Sequence, residues 1–128
     1  MEEEGIVSIW LGNFDSMEDL TAYAEARFKR DENGEAVQSF TQDFFDGDLW
    51  PFEPEMFDYE RIPATADPAE AAQPLGEAVA AALAERFPEG LDQTYNAVLA
   101  VYDCQFEGSG YVPGAPARFA ASVPYFEE

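Results

Sequence analysis

Runs of apolar residues along this chain predict four β-strands. A β-branched and aromatic run at 6–11 predicts the first strand, and a weaker alternation at 56–62 predicts the second. The run at 94–106 is nearly continuous in apolar residues, which predicts a long strand in the centre of a sheet. A last strand is expected at 117–126, where Pro124 indicates the edge or the end of a sheet.

Between these strands, apolar residues recur at helical spacing. Ser16 is a suitable N-cap for a helix predicted over 17–30, whose acidic start and basic end suit the helix dipole. A short helix is expected at 40–45, and a single helical turn is expected to begin at Asp67. The clearest helix is predicted over 75–87. Its apolar stripe consists of Leu75, Val79, Leu83 and Phe87.

The elements follow one another in the order β-α-α-β-α-β-β, which predicts an α+β fold. The economical architecture is a small, mostly antiparallel sheet with helices packed on one face. The last two strands are expected to pair as antiparallel neighbours. The chain has 128 residues, so residues 1–128 are expected to form one domain.

Net charge is the strongest feature of the composition. Six basic residues against 27 acidic ones give −21 at pH 7, and residues 31–60 hold ten acidic side chains and no basic one. Phosphate backbones and anionic membranes would repel such a chain, so we expect neither nucleic acid nor membrane as a partner. Three interpretations stay open: a strongly basic protein partner, a high-salt cytoplasm, or a solubility device.

The sequence offers little catalytic chemistry. It has no His and a single Cys, and it contains no nucleophile elbow, P-loop or dinucleotide fingerprint. The spacing of Asp43, Asp46 and Asp48 does not match an EF-hand loop. We expect no enzyme activity, no cofactor and no metal site. A small enzyme or metal-binding protein built on carboxylates stays open as an alternative. The N-terminus lacks the basic region of a signal peptide, which favours a cytoplasmic protein.

The stretch at 41–62 places large aromatic rings among uncompensated carboxylates. Trp50 and Phe52 lie in a Pro-flanked loop and are candidate anchors, because interfaces enrich aromatic residues. The carboxylates around them either contact a partner or serve solubility alone. The candidate partner-binding residues are Asp43, Asp46, Asp48, Trp50, Phe52, Glu53 and Glu55. The rings expected in the core are Phe40, Phe44 and Phe57, together with Trp10 from the first strand.

The first 25 residues carry a distinctive set of positions: Val7, Ser8, Trp10, Gly12, Phe14, Ser16, Leu20 and Tyr23. This set resembles the opening of a bacterial family called immunity protein 22, from polymorphic toxin systems. The regions at 39–44 and 56–62 are also similar to the middle of that family, and the strand segment at 97–106 fits loosely. The Ala- and Pro-rich segment 63–82 departs from the family.

The resemblance implies a cytoplasmic protein that binds and neutralises a cognate toxin made by the same or a neighbouring cell. Many such toxins are nucleases with basic active sites, which an acidic inhibitor can occupy. Under this hypothesis the carboxylates of residues 43–60 contact a basic toxin surface, while Trp50 and Phe52 supply desolvated anchors. The alternative is an acidic housekeeping or adaptor protein of a high-salt cytoplasm. A homodimer through an exposed last strand is also possible.

Overall fold

The computed structural model describes residues 2–25, 32–34, 40–44, 56–106 and 114–125. The order of elements agrees with the predicted order, except that the third helical region is divided into two helices. The strands are β1 (Glu2–Gly12), β2 (Phe57–Thr65), β3 (Tyr95–Cys104) and β4 (Ala117–Pro124). The helices are α1 (Met17–Glu25), α2 (Phe40–Phe44), α3 (Pro68–Ala71) and α4 (Glu77–Arg86).

The four strands form one antiparallel sheet in the order β2-β3-β1-β4. The predicted α+β class is therefore confirmed, as are the central position of β3 and the edge position of β4. The predicted pairing of the last two strands is wrong, because β1 lies between them. Ser8 of β1 is opposite Val101 of β3 on one side and opposite Ser122 of β4 on the other.

A buried serine holds this central arrangement together. Ser8 is fully buried, and its hydroxyl oxygen lies 2.8 Å from that of Ser122 in β4. The backbone N–H of Phe106, just after β3, donates to the same oxygen at 2.9 Å. The side chain thus joins three segments that are far apart in sequence, and it satisfies a backbone donor that water does not reach.

Helices cover both faces of the sheet, so the expectation that they pack on one face is wrong. Trp10 of β1 packs in a cluster with buried residues of α1 and α2. Its neighbours Ile9 and Leu11 pack on the opposite face, in a cluster with buried residues of α3 and α4. Successive side chains of a strand point to opposite faces, and β1 and β3 are apolar on both, so each face needs cover.

Helix α1 forms where the sequence predicts its start. The backbone N–H of Asp19 donates to the Ser16 hydroxyl at 3.1 Å, which satisfies one of the free donors of the first turn. Leu20, Tyr23 and Ala24 are the buried residues of this helix, at the spacing that the sequence shows. The predicted continuation over 26–30 lies outside the described residues.

The third helical region differs from its prediction in one detail. The predicted turn is helix α3, where Asp67 is the N-cap and accepts from the Ala69 N–H at 3.0 Å. Helix α4 begins at Glu77 rather than Leu75, because Gly76 takes a φ of +106° that an α-helix does not allow. The residues before Gly76 form a separate 3₁₀ turn, Gln73–Leu75.

Candidate functional site

One of the seven predicted partner-binding residues lies in the described part of the chain. This residue is Asp43, which is half-buried in α2. The structure places it against α1, where Tyr23 contacts its carboxylate. The other six lie outside the described residues: Asp46, Asp48, Trp50, Phe52, Glu53 and Glu55.

Asp43 accepts a hydrogen bond that connects the two helices of this face. The Tyr23 hydroxyl donates to Asp43 Oδ2 at 2.7 Å. Burial, and then the neighbouring Asp43 carboxylate, raise the pKa of Tyr23 far above its ordinary value, so the hydroxyl keeps its proton and remains a donor. Asp43 therefore has a structural contact with α1, which the sequence did not reveal.

Both ends of the candidate segment 45–55 adjoin residues packed in one aromatic cluster. Phe44, just before the segment, is buried with its ring 5.7 Å from that of Trp10. Phe57, two residues after it, stacks on Phe40 at 5.0 Å and with an interplanar angle of 11°. The predicted core positions of Trp10, Phe40, Phe44 and Phe57 are confirmed, although Phe57 is only partly buried.

Trp10 is the centre of this aromatic cluster. Its ring lies 4.8 Å from Phe40, 5.1 Å from Phe106 and 5.3 Å from Phe119. Each such edge-on pair contributes about 0.5–1.5 kcal/mol beyond the burial of its apolar area. The cluster links β1, α2 and β4, so the flanks of the candidate segment pack in the core of the protein.

A second tyrosine–carboxylate pair lies at the rim of the same face. The Tyr59 hydroxyl of β2 donates to the Glu25 carboxylate at the end of α1. Phe57 and Tyr59 are two residues apart, so both side chains point to the face that carries α1 and α2. The alternation at 56–62 gave the signal for Tyr59, but nothing in the sequence pointed to Glu25 as its partner.

The charges of this face are mostly uncompensated among the described residues. Asp15, Glu18 and Asp19 are exposed at the start of α1, and none of them has an ion-pair partner within the described ranges. Arg61 is a cation of this face, and its Nη2 lies 3.5 Å from the Phe14 carbonyl oxygen. The described surface at the start of α1 is therefore acidic.

On the opposite face, arginines tie strand β4 to its neighbours. Arg86 of α4 donates to the Ser122 carbonyl at 3.0 Å, and Arg118 of β4 pairs with Asp92 at 2.5 Å. The Tyr95 hydroxyl also donates to Asp92, at 2.7 Å. That hydrogen bond, together with the charge of Arg118, holds the pKa of the Asp92 carboxyl below its usual range. These contacts fix the connection between α4 and β3.

The described residues contain no group of three His, Cys, Asp or Glu side chains that could hold a metal ion. They do line two open depressions. The larger, of about 670 Å³, lies beside β2 and α3. The smaller, of about 380 Å³, lies beside the Asp92–Arg118 pair. In the described part of the chain, no helix has the length and apolar character needed to cross a membrane.

These features define a small acidic α+β protein whose described polar side chains mainly connect one element with another. The chain belongs to the family described as Immunity protein 22, whose family model matches residues 7–115. Membership supports a toxin-immunity role in general terms. Comparison with curated proteins and with solved structures gives no match.

The residues that carry the family resemblance are architectural in this structure. Gly12 shows this most clearly, because a Cβ there would lie 2.6 Å from the Pro116 carbonyl oxygen, closer than van der Waals contact allows. Ser16 caps α1, and Ser8 joins the strands as described above. The remaining members of the set are buried: Val7, Trp10, Phe14, Leu20 and Tyr23. The motif therefore identifies the fold and does not mark a contact surface.

Proposed function

We propose that this protein is an immunity protein that binds and neutralises a cognate toxin through an acidic and aromatic surface. The proposed partner-binding residues are Asp43, which lies just before the candidate segment 45–55, and six residues within that segment. These six are Asp46, Asp48, Trp50, Phe52, Glu53 and Glu55. The observation that carries the proposal is the match of the immunity family over residues 7–115. The proposal treats residues 1–128 as one immunity domain in the cytoplasm.

The attachment of the segment supports this choice of surface. Phe44 and Phe57 pack in the aromatic cluster, and Tyr23 holds Asp43 from the neighbouring helix. A binding segment with firmly held flanks loses less conformational entropy when its partner binds. We expect Asp43 to contribute less to toxin binding than the other carboxylates, because its Oδ2 already accepts a hydrogen bond from Tyr23.

The charge of the chain supports a basic partner. At −21, the protein attracts a basic surface over long range, and this attraction accelerates association at low salt. A nuclease-like active site is basic because it holds phosphates, so carboxylates can occupy it in place of the substrate. Trp50 and Phe52 would then add affinity that salt does not screen.

The proposed action is stoichiometric binding, without catalysis by this chain. Self-association through β4 is not part of the proposal. Arg86 already donates to the Ser122 carbonyl of that strand, and charged side chains at a sheet edge oppose pairing with another chain.

The test is capture of partners from a lysate of the source cell at low and at high salt, with bound proteins identified by mass. The proposal predicts one basic, toxin-like protein, whose retention weakens but persists at high salt. A mixture of basic proteins that salt releases completely would contradict it. That outcome, together with folding that requires molar salt, would favour the acidic housekeeping alternative.

A further inference from the structure

The larger of the two depressions described above runs beside the outer edge of β2. Its floor and walls include Ile62, Pro63 and Ala64 of β2, and Pro74 of the 3₁₀ turn closes it on the other side. Ile62 is buried, whereas the two prolines and Ala64 are exposed. The groove therefore has apolar walls that are open to solvent.

Strand alternation gives this groove an acidic rim. Glu60 and Ile62 are two residues apart, so they point to the same face, on which α3 and α4 pack. Arg61 lies between them, and its guanidinium contacts the Phe14 carbonyl on the opposite face. Arg61 also lines the groove, so one arginine stands beside its glutamates.

A second carboxylate borders the groove from α3. Glu70 Oε1 accepts from the Thr65 hydroxyl at 2.8 Å, so its position is fixed relative to β2. Neither Glu70 nor Glu60 has an ion-pair partner among the described side chains. Two exposed carboxylates therefore stand with one arginine, Arg61, at the rim of the groove, which leaves the rim with a net negative charge.

The backbone of β2 is irregular at this place. Its register with β3 shifts between Arg61 and Thr65, and no residue between these two has a Cα partner in β3. Irregularities of this kind redirect strand edges and often lie beside binding sites. β2 is also an edge strand, so a segment of another protein can approach it from outside the sheet.

We propose that this groove binds an extended segment of the toxin that carries lysine or arginine. The aliphatic stem of such a side chain packs on the walls formed by Ile62, Pro63 and Pro74, while its cationic head meets Glu60 and Glu70. An acidic segment would be repelled, and a purely apolar one would leave both carboxylates without a partner. Charge complementarity therefore selects this occupant.

The inference rests on the proposed function and extends it to a second contact surface. Residues 45–55 lead into Phe57 at the start of β2, and the groove lies towards Thr65 at its end. At about 3.3 Å per residue, these two ends of the strand are about 26 Å apart. A toxin that spans this distance would contact both the start of β2 and the groove at its end.

The experiment uses the full chain and an eight-residue synthetic peptide of alternating threonine and lysine at low salt. Backbone amide shifts locate the peptide, and a titration gives its affinity. The double variant Glu60→Gln/Glu70→Gln retains the oxygen that accepts from Thr65 but removes both charges. The control Glu18→Gln/Glu85→Gln removes the same charge from two exposed glutamates that do not line the groove.

We expect amide shifts at Ile62, Ala64 and Thr65, about fivefold weaker binding for the groove variant, and less than a twofold change for the control. Equal effects of the two variants, or shifts confined to other parts of the chain, would overturn the inference. The peptide result does not depend on toxin capture, so it can fail while the proposed immunity function holds, and the reverse is also possible.

Discussion

Tyr23 of α1 and Asp43 of α2 are joined by a hydrogen bond of 2.7 Å between the phenol and the carboxylate. Tyr23 is almost completely buried, whereas Asp43 is only half-buried, so the bond connects the core with the acidic surface. It fixes the start of the segment that we propose as the toxin contact. A loss of this bond should therefore affect both stability and binding.

Replacing Tyr23 by Phe removes the donor and leaves the ring in place. We expect the free energy of unfolding to fall by about 1.5 kcal/mol, because hydrogen bonds to charged groups contribute about that much. Urea denaturation measures the change. Tyr102→Phe is the matched control, since none of the described hydrogen bonds uses its hydroxyl, and it should alter stability by less than about 0.5 kcal/mol. Equal losses in both variants would show that the bond to Asp43 contributes nothing.

The variants Ser8→Ala and Ser122→Ala form a second matched pair, because the two hydroxyls contact each other. Ser8→Ala removes the acceptor of the buried Phe106 N–H, and an unpaired buried donor costs about 1–3 kcal/mol. Ser122→Ala leaves that contact intact, so its cost should be about 0.5–1 kcal/mol. Denaturant unfolding of the two variants checks the order. A larger loss for Ser122→Ala would contradict the role that we assign to Ser8.

Asp103 should make stability depend on acid pH. Its carboxylate accepts from the Tyr125 hydroxyl and from the Gly5 N–H at 3.0 Å, and these bonds, in that order, hold its pKa below the usual range. A carboxyl with a lowered folded pKa stabilises the fold above its unfolded pKa, about 3.9. That contribution is lost as the pH falls through the lower folded value.

We therefore expect Asp103→Asn to flatten part of the fall in stability below about pH 4. Asn also tolerates the positive φ of this position, 55°, so the backbone should not change. Asp92, whose pKa is also lowered, keeps its own share of the acid dependence. Asp15→Asn is the control for the change in net charge, and it removes no described hydrogen bond. Identical pH profiles for wild type and Asp103→Asn would disprove the assignment.

Local sequence patterns predicted the elements of this fold better than their arrangement. The start of α1 at Ser16 and the central strand β3 follow from capping and from apolar composition, both of which are local. The neighbour of β4 depends on contacts such as Ser8–Ser122, which are 114 residues apart and leave no periodic trace. The sequence nevertheless contains the information that both faces need cover, because β1 and β3 have apolar residues at successive positions.

The candidate site was predicted in part for a similar reason. An acidic and aromatic composition is visible in the sequence, and it was the basis for predicting partner-binding residues within 43–55. The partners of these residues depend on tertiary packing: Tyr23 was named only among the positions that carry the family resemblance, and Glu25 was not named at all. The groove beside β2 has no sequence motif, since Glu60 and Glu70 come together only when α3 packs on the strand.

The central claim is that residues 43–55 bind the toxin, and the direct test is the affinity of the captured partner for the wild-type protein and for two variants. Titration calorimetry at 0.15 M salt, roughly physiological, would compare Trp50→Ala/Asp46→Asn/Asp48→Asn with Glu85→Gln/Glu89→Gln, which removes the same charge elsewhere. The account predicts a loss of at least about 2 kcal/mol for the first variant, because a buried Trp anchor alone contributes about that much. It predicts little change for the second. Unchanged affinity in the first variant would contradict the claim.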